Sequence, residues 1–133
     1  MSKSAIYVVN NSAQTLAVGN TVALGVVNRR FGCAIDLNGN SVTLDDQGYY
    51  DVNVSVTAAP TAAGTVTITL FNNGVAVPGA TASNATTVGG NPVNVSFESL
   101  VRVFCGANAG ALTIVLTGAA ATVSNVALVV TKI

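Results

Sequence analysis

The fold is decided at residues 49–57, which read YYDVNVSVT. Apolar and polar side chains alternate along this stretch. One face would carry Tyr50, Val52, Val54 and Val56, and the other face Asp51, Asn53, Ser55 and Thr57. Because successive side chains of a β-strand point to opposite faces, this period of two predicts a strand with one buried and one wet face. Strands of that kind are typical of antiparallel sheets.

Short strand-like segments continue on both sides of this stretch. They are rich in β-branched residues, and none shows the period of a helix. The segments are Ala5–Asn10, Thr21–Val27, Phe31–Leu37, Ser41–Leu44, Gly64–Phe71, Val75–Val77, Asn91–Phe104, Gly110–Thr117 and Thr122–Thr131. We therefore expect an all-β fold, an antiparallel sandwich or barrel of about ten strands. It would form one domain over residues 1–133, with residues 1–14 as an N-terminal arm or the first strand.

Turn signals separate these segments. Asn38-Gly39 and Asn73-Gly74 are the preferred pair for a tight hairpin, whose two central residues need a positive φ. Val77-Pro78-Gly79 is expected to break a strand, and residues 89–92 (GGNP) are expected to form a loop. The turns follow one another too closely for the long crossover connections of a parallel sheet.

Charge is scarce in this chain. Of its 133 residues 8% are charged and 50% are apolar, and five basic residues balance five acidic ones. Nucleic-acid binding needs a basic footprint, and the basic residues cluster only at Arg29-Arg30. No apolar run approaches the roughly 18–20 residues of a membrane-spanning helix. We expect no nucleic-acid partner, no membrane span and no export signal, and apolar surface that is covered by copies of the same chain.

Groups for catalysis are missing as well. The chain has no histidine, which removes the usual general base, His-based catalytic sets and the commonest metal ligand. Asp45 and Asp46 are adjacent in a polar turn, a poor arrangement for the facing carboxylates of a glycosidase. With backbone carbonyls they would be able to ligate Ca²⁺, although a solvated turn is the simpler interpretation. We expect no catalytic residues, no metal and no cofactor.

The two cysteines, Cys33 and Cys105, leave two interpretations open. They are either a disulfide or redox pair, or two small buried thiols. They lie far apart in the sequence and form no CxxC motif. We favour free thiols, because no export signal is visible and cytosolic thiols usually stay reduced.

Three segments are apolar on both faces, namely Ala111–Leu116, Val126–Val130 and, in part, Leu100–Cys105. A strand of that kind must be buried on both faces. Contact between subunits would explain this burial, and so would cover by loops of the same chain. We favour subunit contact. The candidate interface residues, drawn from these segments and from the strand at residues 49–57, are Tyr50, Arg102, Phe104, Leu112, Ile114, Leu116, Leu128 and Val130.

Arg102 and Glu98 lie four residues apart on one face of a predicted strand. They form either an ion pair between subunits that fixes the register of the assembly, or ordinary charges at the rim. The sequence leaves both interpretations open.

Residues 41–52, SVTLDDQGYYDV, resemble the hallmark of the TNF/C1q-like domains of bacteria and phages. Residues 66–79, VTITLFNNGVAVPG, resemble the hairpin that follows it there, and Val22–Gly25 and Phe31-Gly32 fit the strands before it. The resemblance covers the chain from about Thr15 to its end. It implies a ten-stranded jelly-roll sandwich that assembles as a homotrimer, with apolar and aromatic residues of one sheet lining the three-fold axis.

The resemblance also suggests a function. Stalked members of the family tip fibres, whereas this chain shows no collagen-like or coiled-coil stalk. We expect a structural protein on the virion surface of a phage, made in the bacterial cytoplasm, with capsid or other virion proteins as partners. The alternative is the receptor- or glycan-binding knob of a fibre, which would bind a host-surface glycan through Thr81–Pro92 or Ala58–Gly64.

Overall fold

The computed structural model describes residues 3–103 and 110–133. These residues form eleven β-strands and no helix, so the described chain holds no helix that could cross a membrane. The strands are β1 (Ala5–Asn10), β2 (Gln14–Leu16), β3 (Val26–Phe31), β4 (Ile35–Asn38), β5 (Ser41–Leu44), β6 (Gly48–Pro60), β7 (Gly64–Asn72), β8 (Val75–Thr86), β9 (Val93–Val103), β10 (Gly110–Thr117) and β11 (Ala121–Lys132).

The strands form two antiparallel sheets. The six-stranded sheet has the order β3-β1-β11-β6-β9, with the short β2 paired to β11. The five-stranded sheet has the order β4-β5-β10-β7-β8. Every pairing between described strands is antiparallel. The structure thus confirms the predicted jelly-roll sandwich, with eleven strands in place of about ten.

The stretch at residues 49–57 lies in an interior strand of the six-stranded sheet. It belongs to β6, which pairs with β11 on one side and with β9 on the other. Its alternation separates the two faces as predicted, because Val52, Val54 and Val56 are buried between the sheets. Each fully buried side chain of this size contributes roughly 1.5–3 kcal/mol relative to an exposed one.

The predicted strand Thr21–Val27 is wrong over most of its length, since only its last two residues belong to β3. Thr21 forms an isolated antiparallel bridge to Val115 of β10, the Val22 N–H donates to the Ile114 carbonyl at 2.7 Å, and Val22 and Leu24 are completely buried. At Ala23 side chains replace the strand partner. The Gln14 amide donates to the Ala23 carbonyl at 3.0 Å and accepts from the Ala23 N–H at 2.9 Å, and the Asn10 amide donates to the same carbonyl at 2.9 Å. These bonds satisfy a partly buried backbone without a ladder.

The predicted strand Phe31–Leu37 is divided by a bend. Phe31 ends β3, and β4 begins only at Ile35. Gly32 has a φ of 82°, and a Cβ at this position would overlap the Ser4 hydroxyl. Ser4 is buried and accepts a hydrogen bond from the Ala34 N–H at 3.1 Å. Glycine therefore lets the chain leave the six-stranded sheet and enter the other one.

Pro78 and Gly79 do not end a strand, which corrects a third expectation. β8 runs through both residues, and the register with β7 shifts between Thr69 and Phe71. β8 is an edge strand, where proline is tolerated because the missing N–H faces away from the neighbouring strand. At Pro78-Gly79, where the sequence predicts the end of a strand, the structure has only a local irregularity in the pairing of β8 with β7.

Candidate interaction surface

Six of the eight candidate interface residues lie in the chain's own core. Their side chains point between the sheets and are fully buried, so they offer no surface to another copy; they are Tyr50, Leu112, Ile114, Leu116, Leu128 and Val130. The sandwich explains the apolar inner faces of these strands without a partner. Arg102 is exposed on β9, and Phe104 lies outside the described residues.

The partly exposed side chains of the same strands point away from the core. We call the side of the six-stranded sheet that faces away from the other sheet the outward face. Tyr7 of β1 and Val129 of β11 lie on it next to each other, since they are in register. A shallow groove of about 420 Å³ crosses this face, lined by Asn53, Val54, Ser55, Ser96, Phe97, Ala127 and Val129. The groove lining contains no charged side chain.

Each edge of the outward face carries an exposed apolar side chain. Phe31, on edge strand β3, is 60% exposed and lies beside Tyr7 and Val129 in a small groove of about 90 Å³. Leu100, on the opposite edge strand β9, is 56% exposed. It lines a third groove, of about 290 Å³, together with Val75 of β8 and other residues of that hairpin. The sequence alone did not indicate Phe31 or Leu100, because single apolar residues in an apolar chain carry no signal.

Within one chain Arg102 and Glu98 contact other groups, and their ion pair between subunits stays a prediction. The Arg102 guanidinium lies over the Tyr49 ring, 5.4 Å from its centre, which is a cation–π geometry. Glu98 instead meets Asp51 of β6. A hydrogen bond with Asp51, and then the negative charge of Asp51, raise the pKa of Glu98.

All charged side chains lie in one half of the sandwich. The boundary is the row of Glu98, Asn53, Val129, Tyr7 and Arg29, which are in register across five strands. Charged residues occur only on this row or towards the end where β6 begins. The charged residues are Lys3, Arg29, Arg30, Asp36, Asp45, Asp46, Asp51, Glu98, Arg102 and Lys132. The opposite half of the sandwich is uncharged.

Two ion pairs match four of the ten charged side chains of this half. Arg30 forms an ion pair with Asp36, and Lys132 lies 3.7 Å from Asp46. The pKa of Asp45 is raised by partial burial, by a hydrogen bond with Asp36 and by the charges of Asp36 and Asp46. In residues 3–103 and 110–133, no three cysteine, aspartate or glutamate side chains are grouped so that they could hold a metal ion. The Asp45-Asp46 turn is thus a charged turn with its own cations nearby.

The uncharged end brings three loops together. The Gly90 N–H donates to the Pro60 carbonyl at 2.7 Å, and the Thr61 N–H donates to the Ala120 carbonyl at 3.1 Å. The two segments predicted for glycan binding therefore lie side by side. Their bounds need correction, because Thr81–Thr86 belongs to β8 and Ala58–Pro60 belongs to β6. Only residues 61–63 and 87–92 are loops.

Cys33 is exposed and forms no disulfide with another described residue. Cys105 lies outside the described residues. The predicted burial of Cys33 is therefore wrong, because the bend after Gly32 places it at the surface rather than in a strand.

The two antiparallel sheets form a jelly roll whose fold is like that of TNF and C1q domains. Murine APRIL at pH 8.5 superposes with a TM-score of 0.73 at 14% identity, over 99% of this chain and 100% of that chain. The globular domain of zebrafish complement 1qA gives 0.66 at 9% identity, over 97% and 95%. Eiger TNF from S. frugiperda gives 0.65 at 12% identity, over 98% and 91%. At such identities the likeness shows the fold alone. No family model and no curated protein matches the chain.

Proposed function

We propose that this chain is a non-enzymatic structural protein that forms a homotrimer on the virion surface of a phage or prophage, as a capsid decoration or head-fibre protein. One observation carries the assembly. The outward face is uncharged along its central groove and ends in an exposed apolar side chain at each edge, Phe31 and Leu100. An uncharged face that continues into exposed apolar side chains at both edges is the kind of surface that protein contacts use.

The two edge patches are different, which determines the kind of symmetry. A two-fold contact would bring one patch against its own copy, whereas two different patches meet head to tail. Head-to-tail contacts close into a ring when the rotation is right. The number three comes from the resemblance of residues 41–52 and 66–79 to TNF/C1q-like domains, for which a compact trimer is expected.

The absence of catalysis in this proposal rests on side-chain chemistry. The chain has no histidine. Its four aspartates and one glutamate lie in the charged half, where each of them contacts a cation or another carboxylate. The main groove of the outward face is lined by amides, hydroxyls and apolar groups, and the small groove adds Arg29 and Arg30. Neither lining contains a carboxylate, so the grooves suit packing rather than acid–base chemistry.

Native mass spectrometry tests the assembly. The wild type is expected at the mass of three chains, and Val129→Glu at the mass of one chain, because a carboxylate in the groove would be buried without a partner. Val115→Glu is the matched control, since Val115 points outward from the other sheet and this variant should stay trimeric. If all three proteins are trimers, the outward face does not form the contact between subunits. A monomeric wild type would reject the trimer.

The virion placement is tested separately. Gold-labelled antibodies against the chain should decorate intact particles of a phage that encodes it, with capsid or other virion proteins as its binding partners. Labelling of lysed cells together with bare particles would reject this placement without affecting the trimer.

A second candidate function is a glycan-binding knob, favoured by the contact of residues 61–63 with residues 87–92. This end offers backbone groups, hydroxyls and amides, which can bond to sugar hydroxyls. Binding on a glycan array that is lost in Asn91→Ala and kept in Asn40→Ala, at the far hairpin, would support the knob. An array without any binding would count against it.

A further inference from the structure

Two rows of residues cross the outward face from edge to edge. The first runs from Glu98 on β9 to Arg29 on β3 through Asn53, Val129 and Tyr7. The second runs from Leu100 on β9 to Phe31 on β3 through Asp51, Thr131 and Ala5. Directly opposed residues of neighbouring strands share a face. The first row therefore has an acidic side chain at one end and a basic side chain at the other. The second row has an apolar side chain at each end.

In the part of the chain that the structure describes, the charges at the two ends of the first row form no ion pair. Glu98 and Asp51 contact each other, and within residues 3–103 and 110–133 no lysine or arginine forms an ion pair with either of them. The Arg29 guanidinium donates a hydrogen bond to the carbonyl of its neighbour Asn28, at 3.5 Å. One edge carries two carboxylates that repel each other, and the other edge carries an arginine that forms no ion pair with a described carboxylate. The two edges are therefore electrostatically complementary.

Opposite ends of a row can meet between two copies only if they lie at the same position along the strand direction, which we call height. Rotation about an axis that runs along the strands moves every residue sideways and keeps its height. In a ring built in this way, an edge of one copy meets the opposite edge of the next copy at the same height. Arg29 and Glu98 share a row, and so do Phe31 and Leu100, so both pairs are at matching heights. Each row spans four strand spacings, roughly 19 Å.

We infer that edge strand β3 of one copy lies against edge strand β9 of the next, with Arg29 on the carboxylates of Glu98 and Asp51 and with Phe31 on Leu100. This inference rests on the proposed homotrimer and specifies its contact. A guanidinium has donors enough to bind both carboxylates at once, and this relieves their repulsion. The Phe31 and Leu100 side chains, exposed in one copy, become buried next to the ion pair.

A charge-exchange experiment tests the contact. The dissociation of the trimer is followed by mass photometry over a dilution series, for the wild type, Arg29→Glu, Glu98→Lys and the variant with both changes. Each single change is expected to raise the concentration of half-dissociation by about tenfold, the effect of a close charge pair at an interface. The double change should dissociate at a lower concentration than either single variant, because opposite charges face each other again.

Two controls keep the result interpretable. Ser83→Glu adds a carboxylate to the exposed side of the other sheet and should dissociate like the wild type. Arg29→Gln removes the charge without reversing it, and should give a smaller effect in the same direction. Equal dissociation of the wild type and all the variants would overturn this contact and leave the trimer intact. Single effects that simply add in the double variant would overturn the pairing, and a monomeric wild type would reject the proposed trimer itself.

Discussion

The phenol of Tyr50 donates a hydrogen bond to the backbone carbonyl of Asp46 at 2.6 Å. Tyr50 is fully buried at the start of β6, so its hydroxyl reaches from the core to the charged turn that precedes the strand. Burial is the main reason that the pKa of this phenol is raised. The bond connects the Asp45-Asp46 turn to the core, and alternation alone did not indicate it.

Removal of this bond should be measurable. Tyr50→Phe keeps the ring and loses the hydroxyl, so we expect a loss of about 1 kcal/mol of unfolding free energy in urea, the usual net value of such a bond. Tyr49→Phe is the matched control, because Tyr49 is exposed and its hydroxyl forms no hydrogen bond with the described residues. Equal stability of the two variants would show that the bond to Asp46 contributes nothing.

The placement of β11 in the core gives a second prediction. Leu128→Ala should lower the unfolding free energy by about 2–5 kcal/mol, because the fully buried side chain leaves a cavity between the sheets. Val18→Ala, at a side chain that is 54% exposed and lines none of the three grooves, should change it by less than about 0.5 kcal/mol. Both are measured by urea unfolding at one fixed protein concentration, since assembly adds to apparent stability. A mild effect at Leu128 would place it outside the core.

The side-chain pairing of Gln14 with Ala23 gives a third prediction. Gln14→Ala leaves the Ala23 N–H without its partner, while the carbonyl keeps its bond from the Asn10 amide, and we expect a loss of about 1–3 kcal/mol. Hydrogen exchange should show faster exchange at the Ala23 amide in this variant. Gln47→Ala, in an exposed turn, is the control and should leave that amide protected. Unchanged protection of the Ala23 amide in Gln14→Ala would mean that the hydrogen bonds of the Gln14 side chain do not hold the segment before β3 in place.

The raised pKa of Asp45 gives a prediction for pH. Its folded pKa is above the unfolded value, so the native state binds the proton more tightly. The corresponding stability is present below the unfolded pKa and is lost as the pH rises through the folded pKa. Asp45→Asn should therefore melt slightly above the wild type at pH 7, and the difference should close near pH 3 or below. A variant that melts below the wild type at pH 7 would contradict this sign.

The comparison of sequence with structure shows where pattern reasoning succeeds. β6 was predictable because its two faces differ in polarity at every step. The segment before β3 was not, because an apolar run looks like a strand whether a neighbouring strand or the side chain of Gln14 satisfies its backbone. Proline at position 78 signals a break, and only the sheet order shows that β8 is an edge that tolerates it.

The interaction surface was harder to predict for a related reason. β10 and β11 are apolar on both faces, and the sequence alone could not tell which face meets the other sheet. The structure assigns Leu128 to the core and Val129 to the outward face. The complementary ends of the two rows depend on the order of five strands, which local patterns do not contain.

Sedimentation equilibrium of the wild type at several protein concentrations tests the central claim most directly. The proposed assembly predicts a single species of three times the 13.2 kDa chain mass, independent of wavelength and rotor speed. A mass of one chain at all concentrations would contradict the claim that the outward face is covered by copies of the same chain.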